Sequence, residues 1–173
     1  MTKGSCSSAA FCYVGDKAGF DVLDFRGGDS TSFFAKTGNI EKIAKLPGVS
    51  SFIVRQGNDF AAVKNLIPNV KEGKEYILAV GKHSAIIRKT SIGFEFLELQ
   101  DPMRNGWFKL NYERLQKRFA CQKSHTFAGK KVELKNILID VDSLGKSKDF
   151  EKILEYINTP KGKQMKGAAG NVR

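Results

Sequence analysis

Tyr76-Ile77-Leu78-Ala79-Val80-Gly81-Lys82-His83-Ser84-Ala85-Ile86-Ile87-Arg88 is the stretch that decides the fold. It holds two short runs rich in aliphatic and aromatic residues, the composition of strands, with glycine and a polar residue between them. Two further runs follow, Phe94 to Leu99 and Trp107 to Leu110, each bounded again by glycine or polar turns. Four such runs in succession read as an antiparallel meander.

Working outward toward the start of the chain, Gly4-Ser5-Cys6-Ser7-Ser8-Ala9-Ala10-Phe11 leads from a glycine turn into small and apolar residues. That pattern predicts a helix from about Cys6 to Lys17, stopped by Gly19, with Phe20 to Phe25 extended and Arg26 to Ser30 a loop. A short helix over Asn39 to Lys45 ends at Pro47-Gly48, and Ser51 to Arg55 reads as a strand. Asn58 or Asp59 caps a helix that reaches Ile67, where Pro68 closes it. Beyond the meander, Asn111 to Ala120 reads as a basic helix and Ile137 to Val141 as a strand. Ser147 to Asn158 is an amphipathic helix with Phe150, Ile153, Leu154 and Ile157 on one face. The class is α+β. Residues 1–110 are expected to form the core, 111–158 an extension packed on it, and 159–173 a flexible basic tail.

The chain of 173 residues is long enough to bury a core. No apolar run reaches the roughly 18 residues of a membrane helix, and Met1-Thr2-Lys3-Gly4 lacks the apolar stretch of a secretory signal, so synthesis in the cytoplasm is expected. Cysteines at 6, 12 and 121 include no CxxC pair and are odd in number, which argues for reduced thiols. The net charge of +11 is concentrated: residues 104–135 carry 9 basic and 2 acidic side chains, whereas residues 1–103 carry 13 and 11. The Arg104 to Lys135 surface therefore suits an anionic partner such as nucleic acid.

Cys6 falls in the first turn of its helix, where unpaired N–H groups and the helix dipole favour thiolate over thiol. His83 opens a strand, from which an imidazole can project toward the helix that covers the sheet and take the thiol proton. A third group should hold the imidazole by accepting its other N–H. The turn at Thr90 to Gly93 brings Glu98, Gln100 and Asp101 level with His83, and all three stay open as that group. Cys12, six residues after Cys6, points elsewhere around the helix and is expected in the core. Cys121 and His125 have no second ligand pair nearby, so no zinc site is expected, and no other metal or cofactor.

Gly4-Ser5-Cys6 running into a helix, a Gly-His pair opening a strand, and a polar residue ending the next strand together resemble the papain-like cysteine hydrolase superfamily. The first helix, through Tyr13-Val14 and Lys17-Ala18-Gly19-Phe20-Asp21, is similar to that of NlpC-type cell-wall peptidases. His83 to Asp101-Pro102 resembles bacterial papain-fold toxin domains. The resemblance implies a Cys-bearing helix packed on the sheet that carries the histidine, with Cys6 as nucleophile, His83 as base and Glu98, Gln100 or Asp101 as orienter. It implies a peptide or peptidoglycan-like substrate, and protein cleavage or glutamine deamidation as alternatives. Delivery from the cell by a dedicated secretion system, with an immunity or carrier protein as partner, also follows from it. The orienting residue is not the histidine common in NlpC-type enzymes, and no upstream glutamine precedes Cys6. Backbone N–H groups of Cys6 or Ser7 are then left to form the oxyanion hole.

Overall fold

The computed structural model describes residues 5–22, 33–34, 36–101, 103–154 and 171–172. In chain order the elements are α1 (Ser5–Lys17), β1 (Phe20–Asp21), α2 (Thr37–Ala44), β2 (Ser51–Gln56), α3 (Asp59–Leu66), β3 (Glu75–Val80), β4 (His83–Thr90), β5 (Gly93–Glu98) and β6 (Gly106–Lys109). They continue with α4 (Tyr112–Lys117), β7 (His125–Phe127), β8 (Lys130–Val132), β9 (Leu134–Asp140), α5 (Val141–Gly145), α6 (Phe150–Leu154) and β10 (Asn171–Val172).

The meander forms as its alternation demands, β3 to β6 pairing in sequence with every pair antiparallel. Two-residue turns join β3 to β4 and β4 to β5. The sheet does not stop there: its order is β2-β9-β3-β4-β5-β6, so β9 lies between β2 and β3 and pairs antiparallel with both. The strand Leu134–Asp140, from the region after residue 110, has Ile137, Leu138 and Ile139 fully buried in the centre of the sheet.

Period-two alternation sends side chains of each strand to opposite faces, and helices cover both. On one face Ile77, Ile86, Ile137 and Ile139 pack with Phe11 and Val14 of α1, Ile43 of α2, Leu144 of α5 and Leu154 of α6. On the other, Tyr76, Leu78, Ile87, Phe96 and Leu138 pack with Val63 and Leu66 of α3 and with Leu115 and Phe119. Each fully buried side chain of this size contributes roughly 1.5–3 kcal/mol, so both layers are needed for stability.

Local signals place the helices. Asn58 Oδ1 accepts from Ala61 N at 3.1 Å, Asn111 Oδ1 from Arg114 N at 2.9 Å and Asp140 Oδ1 from Ser143 N at 3.0 Å, capping α3, α4 and α5. Gly19 follows α1 with φ +93, the left-handed stop expected of it. The helix expected to Asn158 is described only over Phe150–Leu154, and Leu23 to Ser30 lies outside the described residues. Of the expected flexible tail, the described residues are Asn171–Val172, which pair antiparallel with Phe20–Asp21.

Candidate functional site

α1 is buried along most of its length, with Ser7, Ser8, Ala9, Ala10, Phe11, Cys12 and Val14 all buried, while Cys6 in its first turn is partly exposed. The helix is fixed on β4 by a hydrogen bond between the buried hydroxyls of Ser7 and Ser84, 3.0 Å apart. Cys12 sits in the core, as its place on the helix requires.

That Ser7–Ser84 bond also tells which way His83 faces. Ser84 points at α1, so by alternation its neighbour His83 points to the opposite face of the sheet. There the imidazole, 8% exposed, meets the Phe119 ring edge-on at 4.9 Å between centroids. The expectation that His83 projects toward the helix covering it is therefore not met along the body of α1. The two groups converge only at the end of the sheet, where β3 turns into β4: Cys6 from one layer and His83 from the other line a single cleft of about 560 Å³. No hydrogen bond joins the Cys6 thiol to the His83 ring among the described residues.

The segment after α4 builds the other wall. Phe119 O accepts from Lys82 N at 2.8 Å, and a Cβ added to Gly81 would stand 2.3 Å from that same oxygen. Gly81, at φ +58, is thus required both by the turn and by the closeness of the Phe119 backbone. These contacts hold the head of β4, and His83 with it, against Phe119.

Of the three candidate orienters, Glu98 is the buried one, at 5% exposure. Ile86 pairs with Leu97 and Ile87 with Phe96, a register that carried onward sets Ala85 level with Glu98 and His83 level with Gln100. Glu98 and Gln100 thus share the face of His83. Neither forms a hydrogen bond to the imidazole; both carry instead the guanidinium of Arg118. Arg118 donates to both Glu98 oxygens, through Nε and through Nη2 at 2.8 Å, and from Nη2 to Gln100 Oε1 at 3.0 Å. Asp101 is set apart, its Oδ1 accepting from Met103 N at 2.9 Å in a local turn.

The electrostatics follow from that pair. Burial pushes the His83 pKa down to about 4, helped by the Arg118 charge and opposed by Glu98, so the imidazole is neutral at pH 7 and a weaker base than a free histidine. Burial works to raise Glu98, but the Arg118 hydrogen bonds, the Gln100 N–H and the Arg118 charge outweigh it and hold the carboxyl below its usual range. Arg118 is raised, first by its bond to Glu98 and in part by the charge that Cys6 would carry as a thiolate. Arg118 is the residue that reading for acids and amides missed. It sits in a helix-terminal run of basic residues, Arg114, Lys117 and Arg118, where its sequence context marks nothing special.

A larger cavity, about 970 Å³, lies at the opposite end of the sheet around Tyr76 and Asp140. Its lining includes none of the candidate catalytic residues. No group of three ligating side chains that could hold a metal ion occurs among the described residues. His125 Nε2 is 2.7 Å from Oδ2 of the fully buried Asp59. No helix of the described residues is long and apolar enough to cross a membrane. Comparison with protein-family models, with curated proteins and with solved structures finds no match.

Proposed function

We propose that the protein is a cysteine-nucleophile hydrolase acting on an amide bond, an amidase or peptidase of papain-like type. The observation that supports this most is the meeting of Cys6 and His83 in one cleft, with the Glu98–Arg118 pair behind the imidazole. In the reaction, the Cys6 proton passes to neutral His83 as sulfur bonds the carbonyl carbon, whose oxygen becomes an oxyanion at the N–H groups of Cys6 or Ser7. His83 returns the proton to the leaving amine as the C–N bond breaks. Water then attacks the thioester, giving the acid and the free thiol. Glu98 and Gln100 enter as positioning residues through Arg118, whose charge also stabilises the thiolate; Asp101, bonded in its own turn, takes no part in this arrangement. A bacterial cell-wall peptide, met as a delivered effector, is the substrate that the resemblance to NlpC-type enzymes suggests. A papain-fold protease or glutamine deamidase toxin is the alternative within the same chemistry.

Alkylation by iodoacetamide tests this. Cys6 should label far faster than Cys12 and Cys121, both only 5% exposed. Because exposure alone would favour Cys6, the deciding result is the effect of His83→Ala, which should slow labelling by at least about tenfold. An unchanged rate would remove the proposal.

A second reading has its own observation. Arg104, Lys109, Arg114, Lys123, Lys130 and Lys131 form no ion pair with a described residue, and Phe127 beside them is 77% exposed. On this reading the chain is a non-catalytic module for an anionic partner such as nucleic acid. Affinity would fall steeply with salt and survive Cys6→Ala; salt-insensitive or absent binding would end it.

A further inference from the structure

Three cations, Arg55, Lys82 and Lys135, line the cleft of Cys6 and His83, against one acid, Glu133. Arg55 and Lys135 stand directly opposite each other across the β2–β9 pair, an arrangement in which like charges repel. Elsewhere in the same sheet the charged cross-strand pair Arg88 and Glu95 is of opposite sign and bonded at 2.9 Å. Glu41 of α2 takes Lys135 in an ion pair, whereas Arg55 and Lys82 have no acidic partner among the described residues. Lys82 also immediately precedes His83, and its backbone N–H is pinned to Phe119 O, so its side chain leaves the chain at the mouth of the cleft. A local rule broken inside a cavity, and kept in the rest of the sheet, marks a binding feature.

We infer that the substrate of this cleft carries a carboxylate, held between Lys82 and Arg55 while its acyl carbon lies at the Cys6 sulfur. The class is an acidic peptide or another carboxylate-bearing amide. The inference rests on the hydrolase reading and narrows its substrate.

Competition between two alkylating reagents tests it on the full chain. Iodoacetate is anionic and iodoacetamide neutral, and both bond the Cys6 sulfur with loss of iodide. The ratio of their rates, read by mass spectrometry of the Cys6 peptide, is referenced to the chain unfolded in urea. The folded protein should favour iodoacetate about fivefold over that reference at low salt, and added salt should erase the preference. R55Q/K82Q should return the ratio to the reference. Both side chains are exposed, and a thermal melt confirms that the variant folds. A folded ratio equal to the reference, or a preference unchanged in R55Q/K82Q, overturns the inference. Failure of the hydrolase reading looks different: iodoacetamide labelling unaffected by His83→Ala, with the iodoacetate preference intact, would leave an anion-binding cleft without catalysis.

Discussion

The two histidines of the chain both sit beside the segment from Phe119 to Gln122, yet they are treated in opposite ways. His125 is bonded to Asp59, whose Oδ2 also accepts from Gln122 N at 2.8 Å, while Asp59 N donates to Gln122 O at 2.9 Å. The ring there is a strut between the start of α3 and the β7–β8 hairpin. His83 lies against Phe119 with no hydrogen bond to its ring from a described residue, buried and held neutral in a cleft beside a thiol. His125 spends its Nε2 on holding two elements together. Burial, by contrast, leaves His83 neutral at pH 7 and disfavours its protonated form.

The strongest way to break this contrast is to remove Asp59. Asp59→Ala strands the His125 ring and the Gln122 N–H, and should cost about 3–5 kcal/mol in urea unfolding, whereas His83→Ala should cost well under half as much. Equal losses would show that His83 is a strut too.

Next in size is a pH effect that belongs to one histidine. The folded His83 has its pKa at about 4, below the roughly 6.5 of the unfolded chain, so the unfolded state binds more protons between those values. Stability should therefore be undiminished above about pH 6.5 and fall as pH drops toward 4, by roughly 3 kcal/mol. In His83→Gln that component should vanish from the difference between the two melting curves. Persistence of the full pH slope would mean that the imidazole is not held neutral.

The smallest effect lies in the segment the two sites share. Ala120 has φ +52, a left-handed backbone that costs a residue bearing a Cβ about 1 kcal/mol. Ala120→Gly should stabilise by up to about 1 kcal/mol and leave Cys6 alkylation unchanged. Altered alkylation would show that this strain tunes the cleft.

The meander and the Cys6 helix were legible because both are local. Alternation over Tyr76 to Leu110 and the small residues after Cys6 declare themselves within a few positions. The place of β9 was not legible, since its apolar run Ile137-Leu138-Ile139 looks the same at an edge as in the middle; strand order comes from long-range packing. The face of His83 escaped for a related reason. Alternation says that Ser84 and His83 oppose each other, but only the Ser7–Ser84 bond says which of them sees α1. The β7–β8 hairpin was hidden by its shortness: three-residue strands around the Ala128-Gly129 turn, with only Phe127 and Val132 apolar, show no alternation to read. Glu98 was among the residues weighed, while Arg118, twenty residues away, had no sequence link to it.

The central seat of β9 has a consequence for how the molecule comes into being. Until about residue 140 has been synthesised, β2 and β3 each present an open edge, and Ile53, Ile77 and Leu78 lack the neighbour that covers them. The cleft wall carried by Leu134 to Asn136 is missing for just as long. The last strand inserted acts as a keystone, so the chain closes its sheet and its cleft in one late step, and a fragment cut between β6 and β9 lacks the strand that joins β2 to β3.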